Sequence, residues 1–364
     1  MTAPFSGSYQ ASDVTFLLTP LPQVQTLGVR EKEAHIQNGG HYSEVLSPEP
    51  APSDAYLRLF KQQTVLRAER LAADLCELAR QMHCRTPQGP VGLVSLARAG
   101  TPVGVLLKRA LEGFYERTTT HYSVSIIRDR GLDLNALAHV RQRHADNSIV
   151  FVDGWTGKGV IGAELRKSVH AFNLREGAQV DPSLYVVADI AGTAAFSATR
   201  EDYLIPSAIL NATVSGLVSR TVLSPALGRD DFHGCLYLEH LQPQDQSRYF
   251  IDELWAAMQR HFLAQRPGRY TLSEPTRSVC AASLAASVER YRSEFRLPSA
   301  NFVKPGVGEA TRVMLRRAPL LLVLQNPEDD HVKHLQHLAN DKEVPVSVNP
   351  LLPCRAMALI EQLD

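Results

Sequence analysis

Cysteine is scarce and scattered in this chain: Cys76, Cys84, Cys235, Cys280 and Cys354 are the only five in 364 residues. None sits at metal-ligand spacing, and an odd number cannot close into a full disulfide framework. The thiols are expected to be reduced, as in the cytoplasm. Net charge is missing as well. Thirty-eight Lys and Arg balance 38 Asp and Glu, so bulk charge draws the chain neither to nucleic acid nor to an anionic membrane. No apolar run nears the ~18 residues needed to cross a bilayer, and the first residues lack the basic start and apolar block of a signal peptide. Internal repeats and low-complexity blocks are absent. What remains is a globular composition, 44% hydrophobic, with length enough for two domains.

Residues 1–53 read as an irregular N-terminal extension, closing on the Pro-rich stretch Ser47-Pro-Glu-Pro-Ala-Pro-Ser53. Asp54 is placed to cap a helix that runs to about Met82, with Leu59, Leu66, Leu71, Leu75 and Leu78 near helical spacing. Alternation follows. Strands are predicted at Val91–Leu96, His121–Ile127, Ile149–Val152 and Leu184–Ala188. Helices are predicted from Thr101-Pro102, over Leu134–Arg143 and over Gly162–Phe172. This order indicates an α/β fold across 54–296: a mainly parallel sheet with helices on both faces. Ligands of such sheets bind beyond the carboxyl ends of the strands. Residues 297–364 read as a separate small α/β module: helix Gly308–Arg317, strand Leu320–Leu324, helix Glu328–Asn340, strand Val344–Val348 and helix Arg355–Leu363.

Two strand-to-helix turns stand out. In Ser95-Leu-Ala-Arg-Ala-Gly-Thr-Pro102, Arg98 precedes Gly100 and a helix start, and a guanidinium is shaped for two-point contact with phosphate oxygens. In Asp153-Gly-Trp-Thr-Gly-Lys-Gly159, a carboxylate is followed by glycines, a hydroxyl and Lys158. Free N–H groups at the next helix start make such a turn a phosphate cradle. The Walker A reading of Gly157-Lys158 fails, because Gly159 stands where Ser or Thr is required.

These two turns resemble the type I phosphoribosyltransferases. Leu96–Pro102 is similar to their pyrophosphate loop, and Ile149–Gly157 to their phosphoribosyl-pyrophosphate (PRPP) signature. That signature normally holds two adjacent acidic residues; here Gly154 takes the second place. The resemblance implies a Rossmann-like core and a transfer of ribose phosphate through an oxocarbenium-like sugar. It implies Asp153 on the ribose hydroxyls, directly or through Mg²⁺, beside Gly154. It implies Thr156, Gly157, Lys158 and Gly159 around the 5-phosphate. Arg98, Ala99 and Gly100, with Thr101 at the helix start, fall to the pyrophosphate. Arg128 stands where a mobile hood would add charge, although a solvated loop is the stronger reading of Arg128–Gly131. Asp189, closing a strand on the same edge, is a further candidate. Ser207–Thr221 reads as a buried, hydroxyl-rich segment; in the functional alternative Asn211, Ser215 and Arg220 face an acceptor.

A wider resemblance rests on Ser6-Gly-Ser-Tyr9, Asp13-Val-Thr-Phe-Leu-Leu18, His41-Tyr-Ser-Glu44, Val152–Gly159 and Leu204–Thr221. These are similar to a bacterial family encoded beside tellurite-resistance and stress genes. Its members are described as phosphoribosyltransferase-like, with a C-terminal Pelota-like RNA-binding domain, and also as StiP-type cysteine proteases. The protease label requires a thiol paired with a base. Cys235, in His233-Gly-Cys235, is the alternative nucleophile, with His41 and His240 as free histidines, while Cys76, Cys280 and Cys354 read as core or surface thiols. In the C-terminal module, Val307-Gly-Glu-Ala-Thr-Arg312 resembles the RNA-facing helix of Pelota and ribosomal L7Ae-type domains, which implies Glu309, Thr311 and Arg312 as RNA contacts. Seven basic against eight acidic residues over 298–364 leave only a local patch, Arg312, Arg316 and Arg317, for RNA. The alternative is a packing or dimerisation module in a homo-oligomer. His331, His334 and His337 recur every third residue and read as an exposed polar face. The partners implied are therefore a phosphorylated sugar or nucleotide, RNA through the last module, and no membrane.

Overall fold

A computed structural model of the chain describes residues 5–264 and 274–362, with side chains from 281 onward in the second stretch. Cys280 lies outside the described side chains. The first part contains β1 (Thr15–Leu17), β2 (Thr19–Pro20), α1 (Val29–Gln37), α2 (Asp54–Arg85), β3 (Val91–Ala97), α3 (Gly100–Tyr115), β4 (Thr119–Ile127) and β5 (Gly131–Leu132). Then come α4 (Leu134–Arg141), β6 (Ile149–Thr156), α5 (Val160–Glu176), β7 (Leu184–Asp189), β8 (Phe196–Thr199), β9 (Gly234–Cys235) and α6 (Ser247–Leu263). After α7 (Glu274–Glu294), the last part holds β10 (Val303–Pro305), α8 (Val307–Arg316), β11 (Pro319–Leu324), α9 (Lys333–Asp341), β12 (Val346–Val348) and β13 (Ala356–Ile360).

The main sheet is parallel in the order β1-β4-β3-β6-β7-β8, with β5 antiparallel on β4. Its central strands are apolar runs buried on both faces, as a helix-covered parallel sheet requires. Leu75, Leu78, Leu106 and Phe250, from α2, α3 and α6, fill one side. Leu137, Leu165 and Phe172, from α4 and α5, fill the other. The α/β class and the positions of the predicted strands agree with the sequence.

Several local expectations change. Ser53, not Asp54, caps α2: its Oγ accepts from the Tyr56 N–H at 3.3 Å. Leu66 is exposed. Thr101 does not cap α3; it is fully buried, and its hydroxyl shares a 2.8 Å hydrogen bond with Ser123. Strand β6 runs four residues past Val152, because Trp155 and Thr156 still pair with Ala188 and Asp189. Residues 1–53 are not wholly irregular: β1 completes an edge of the main sheet and α1 forms a helix. Three strand residues carry too short a pattern to register in sequence.

The last module is a four-stranded sheet, β10-β13-β11-β12. Arg355–Leu363 was expected to be helical, yet Ala356–Ile360 is a central strand between β10 and β11. Ala, Met and Leu favour helix locally, but a five-residue buried run between two open strand edges gains more by pairing. The module is clamped to the core by Asp202, whose carboxylate accepts from the backbone N–H of Val307 at 2.9 Å and of Arg355 at 2.8 Å. Asp202→Ala should lower unfolding stability by roughly 2 kcal/mol, the scale of charge-assisted hydrogen bonds lost to a half-buried carboxylate. Urea unfolding of the full chain reads this directly; a loss under about 0.5 kcal/mol would show that the clamp contributes little.

Candidate functional site

The turn Gly157-Lys158-Gly159 opens into a cavity of about 280 Å³. The floor is the end of β6 and the first turn of α5, where Val160, Ile161 and Gly162 line the wall. Gly159 takes a left-handed conformation, φ 77°, to turn the chain into α5. The opposite wall is the C-terminal module. On α8, Glu309, Arg312 and Arg316 follow each other at helical spacing and share one face, while Val307, Ala310, Val313 and Met314 are buried on the other. The docking is tight: a Cβ on Gly308 would lie 2.5 Å from the Trp155 ring, and one on Gly157 would lie 2.6 Å from Glu309. The third wall comes from α1 and the loops after it: Lys32, Ile36 and Tyr42, with Arg128 and Arg220.

The charge of this lining is unbalanced. Lys32, Arg128, Lys158, Arg220, Lys304, Arg312, Arg316 and Arg317 face two carboxylates, Asp153 and Glu309. Local devices hold the cations in place. The Arg312 guanidinium lies 4.5 Å from the Trp155 ring centre and donates to Glu309 at 2.7 Å. Tyr42 stands between Arg220, 4.9 Å, and Arg128, 5.3 Å. Arg317 makes a two-point pair with buried Glu33 at 2.5 and 2.6 Å. Arg316 Nε donates to Asn211 Oδ1 at 2.5 Å.

Proton affinities record the crowding. Burial, then neighbouring cations, pull Lys158 down to about 7, although Glu309 opposes this. Burial and the nearby Arg220, Arg317 and Arg316 lower Lys32 to about 8. Lys304 is lowered to about 8, burial again being the main cause. Burial also lowers Arg220 to about 10, and burial with Arg98 and Arg312 takes Arg316 well below the usual guanidinium range. Asp153 moves the other way, to about 6, because burial outweighs the attraction of Arg312. Burial pushes Glu309 up, but Arg312 and Lys304 win and hold it below the usual carboxylate range.

The predicted residues divide here. Asp153, Thr156, Gly157, Lys158, Gly159, Arg128, Glu309 and Arg312 all line the cavity. Ala99 and Gly100 pack directly behind Asp153 and Gly154, so the two turns do meet; a Cβ on Gly100 would lie 3.3 Å from Asp153 Oδ1. Other expectations are corrected. Arg98 is not at the cavity: it is buried, donating to the Val218 carbonyl at 2.9 Å and to Glu49 at 2.5 Å. Asp189 is fully buried, accepting from the Thr156 hydroxyl and from the N–H groups of Thr193 and Ala194. The Thr156 hydroxyl is therefore occupied, as is the Gly154 N–H, which donates to its neighbour Asp153 at 2.7 Å. Thr311 is fully buried against His334 at 2.7 Å and faces no RNA. His334 is likewise buried, not part of an exposed face. Sequence reasoning missed Lys32, Trp155 and Lys304. Lone lysines carry no motif, and Lys32 lay in a segment read as irregular.

Three of the four described thiols are buried and poor nucleophiles as placed. Cys235 is fully buried in β9, and burial raises its thiol to about 12. Cys76 is raised to about 12 for the same reason, and burial raises Cys354 too. The neighbouring His233 spends its Nδ1 on Ser125 at 2.8 Å. Cys84 is exposed. Among the described residues, no group of three His, Cys, Asp or Glu side chains is arranged to hold a metal, and no helix is long and apolar enough to cross a membrane.

A profile described as "tellurite-like stress resistance cysteine protease StiP" matches residues 7–255. A protein named "cysteine protease StiP", from Acinetobacter baylyi, is 38% identical over 371 residues, covering 99% of this chain and 95% of its own. The chain belongs to the StiP family. Residues 282–362 match the PELOTA RNA-binding domain, so this StiP-family chain carries a Pelota-type module at its carboxyl end. Among solved structures, the hypoxanthine phosphoribosyltransferase of Trypanosoma cruzi is 16% identical, covers 38% of this chain and 82% of its own, and superposes with a TM-score of 0.27. Its complex with the product IMP gives 15% identity, 38% and 76% coverage, and a TM-score of 0.28. Likeness at that level carries no argument about this chain's chemistry.

The lysine values fix a pH dependence. A lysine whose folded value lies below its unfolded 10.5 destabilises the fold wherever it must stay charged. Stability should therefore rise with pH between about 7 and 10, and fall again as pH drops through 8 and 7. An anion in the cavity would restore the lysine charges and take up protons. Differential scanning calorimetry at low salt should show Tm rising from pH 7 to pH 9, with pyrophosphate flattening that slope. A slope unchanged by pyrophosphate would disconnect the lysines from any bound anion.

Proposed function

We propose that the cavity binds a phosphorylated small molecule, PRPP or a related sugar phosphate, within a stress-resistance protein of the StiP family working in the cytoplasm. The observation that carries this reading is the wall of eight cations against two carboxylates at the N-terminus of α5. The N–H groups of Val160–Gly162 and the Lys158 ammonium are suited to one phosphoryl group. Arg312, Arg316, Arg220 and Lys304 are suited to further anionic oxygens from the other side. Asp153 is left for a sugar hydroxyl. Transfer of the ribose phosphate to an acceptor is the more demanding form of the reading, because it needs a pyrophosphate ligand in place of Arg98, which is spent on Glu49.

Magnesium does not fit these residues as a protein-held ion. Asp153 offers a single carboxylate whose Oδ1 already accepts from Gly154, and Glu309 is committed to Arg312 and Trp155. No step is assigned to it. Titration calorimetry with PRPP and with pyrophosphate should give affinities at least tenfold weaker in Lys158→Ala and Arg316→Ala than in the wild type. Binding that is absent, or equal in all three proteins, would reject the reading.

A second reading is cysteine peptidase activity, favoured by the family description and by the name of the Acinetobacter relative. It requires a thiolate in an electropositive, accessible place. Cys84 is exposed, whereas Cys235 would have to be uncovered by a rearrangement of β2 and β9. A thiol-directed covalent probe and a peptide-hydrolysis assay, run on each of the five Cys→Ala variants, test it. Loss of hydrolysis in one variant alone would identify the nucleophile; hydrolysis undiminished in all five would end the reading.

RNA is a proposed partner through the Pelota match. Because Glu309 and Arg312 line the cavity, contact with RNA through α8 requires the module to lift off the core.

A further inference from the structure

The lysines that line the cavity are not equivalent. The Lys158 ammonium donates to the Ala300 carbonyl. Burial loosens the proton of Lys304, in β10, and the Glu309 carboxylate opposes the loss. Lys32 stands apart. It lies in α1, is only 7% exposed and lines the cavity wall, yet its amine has no hydrogen bond and no ion pair among the described residues. Glu33, the carboxylate beside it in sequence, is taken by Arg317. Burial first, then Arg220, Arg317 and Arg316, weaken its hold on a proton. A lysine that is desolvated and set beside other cations keeps a usable fraction of neutral amine near neutral pH, and the neutral amine is the nucleophilic form. The same arginines have donors to spare. Arg220 donates one N–H to the Val45 carbonyl, Arg316 one to Asn211, and Arg317 two to Glu33. A guanidinium has more N–H groups than these bonds use. Spare donors around an unpartnered amine suit a molecule that carries both a phosphate and an electrophilic carbon.

We infer that Lys32 is a nucleophile that captures the carbonyl carbon of a phosphorylated aldehyde as an imine, with Arg220, Arg316 and Arg317 holding the phosphate. This rests on the anion-binding reading and goes beyond it, from holding a phosphate to forming a covalent bond. The amine lone pair attacks the carbonyl carbon, and the C=O electron pair moves to oxygen. That oxygen takes both amine protons and leaves as water, while the second C–N bond forms. The step needs no oxidant or reductant, and water reverses it. A bound phosphate raises the proton affinity of Lys32, and holding the carbonyl beside the amine offsets that loss through proximity.

The test is reductive trapping on the full chain. The protein is incubated with glyceraldehyde 3-phosphate or with glyceraldehyde, each in the presence of cyanoborohydride, and the modified lysines are located by peptide mass spectrometry. Lys61 and Lys167 are exposed and serve as internal references. With the phosphorylated aldehyde, Lys32 should be modified at least tenfold faster than either reference, and at least tenfold faster than with glyceraldehyde. Excess pyrophosphate should slow the reaction at Lys32 and leave the references unchanged. Modification of Lys32 no faster than that of the exposed lysines would overturn the inference, as would equal rates with and without the phosphate group on the aldehyde. Pyrophosphate binding measured on the same protein separates the two readings: if it persists in either case the anion site stands, and if it is absent both fall.

Discussion

Like charges crowded into a half-buried space repel, and the architecture around the cavity is organised to contain that repulsion. At an effective dielectric constant of about 20, two cations roughly 6 Å apart cost about 3 kcal/mol. Eight cations share this lining with two carboxylates. The lysines answer by holding their protons less firmly. Most of the arginines are also held by geometry: Arg317 by Glu33, Arg312 by Glu309 and the Trp155 face, Arg220 and Arg128 by the Tyr42 ring. A site that keeps so many positive charges in place is preorganised for an anion, because the cost of assembling them is met on folding.

The same constraint explains how the module sits. Helix α8 has one apolar face, committed to its own sheet, and one charged face. Docking that charged face over the β6–α5 turn would be unfavourable if only charges met there. Glu309 reaches the Trp155 N–H, Gly157 and Gly308 let the backbones approach, and Asp202 pins both ends of the module's chain to the core. The charged α8 face, expected from the resemblance to meet RNA, is thereby turned inward. The protease name of the relative and the inward, cation-lined cavity point to different chemistries. The buried Cys235 and the exposed Cys84 mark where they diverge.

Much of the core could be read from the chain alone. The apolar runs at Val91, His121, Ile149 and Leu184 alternate with amphipathic stretches, and that rhythm leaves few alternatives to a parallel sheet. Asp153, Lys158 and the glycines were legible because a strand, a glycine turn and a helix start form one continuous local signal. Arg128, Glu309 and Arg312 were legible as charges at the ends of elements. Arg98 and Asp189 looked equally good by the same criteria. They were misread because sequence shows where a side chain attaches and not which partner it finds: Glu49 and Thr156 each claim one of them. The C-terminal strand Ala356–Ile360 was misread because its local propensity is helical and its pairing partners lie over 30 residues earlier in the chain.

The sequence by itself determined the layered α/β core and the glycine turn between strand and helix at residues 153–159, since both rest on periodicity and on contacts between near neighbours. Only the tertiary structure decided what faces that turn. Lys32, Arg220, Lys304, Arg316 and Arg317 come from segments separated by up to 285 residues, and no local pattern connects them. Their convergence follows from the docking of α1 and α8 on the sheet edge. That docking depends on buried apolar faces and a few long-range hydrogen bonds, which act only once the chain has folded.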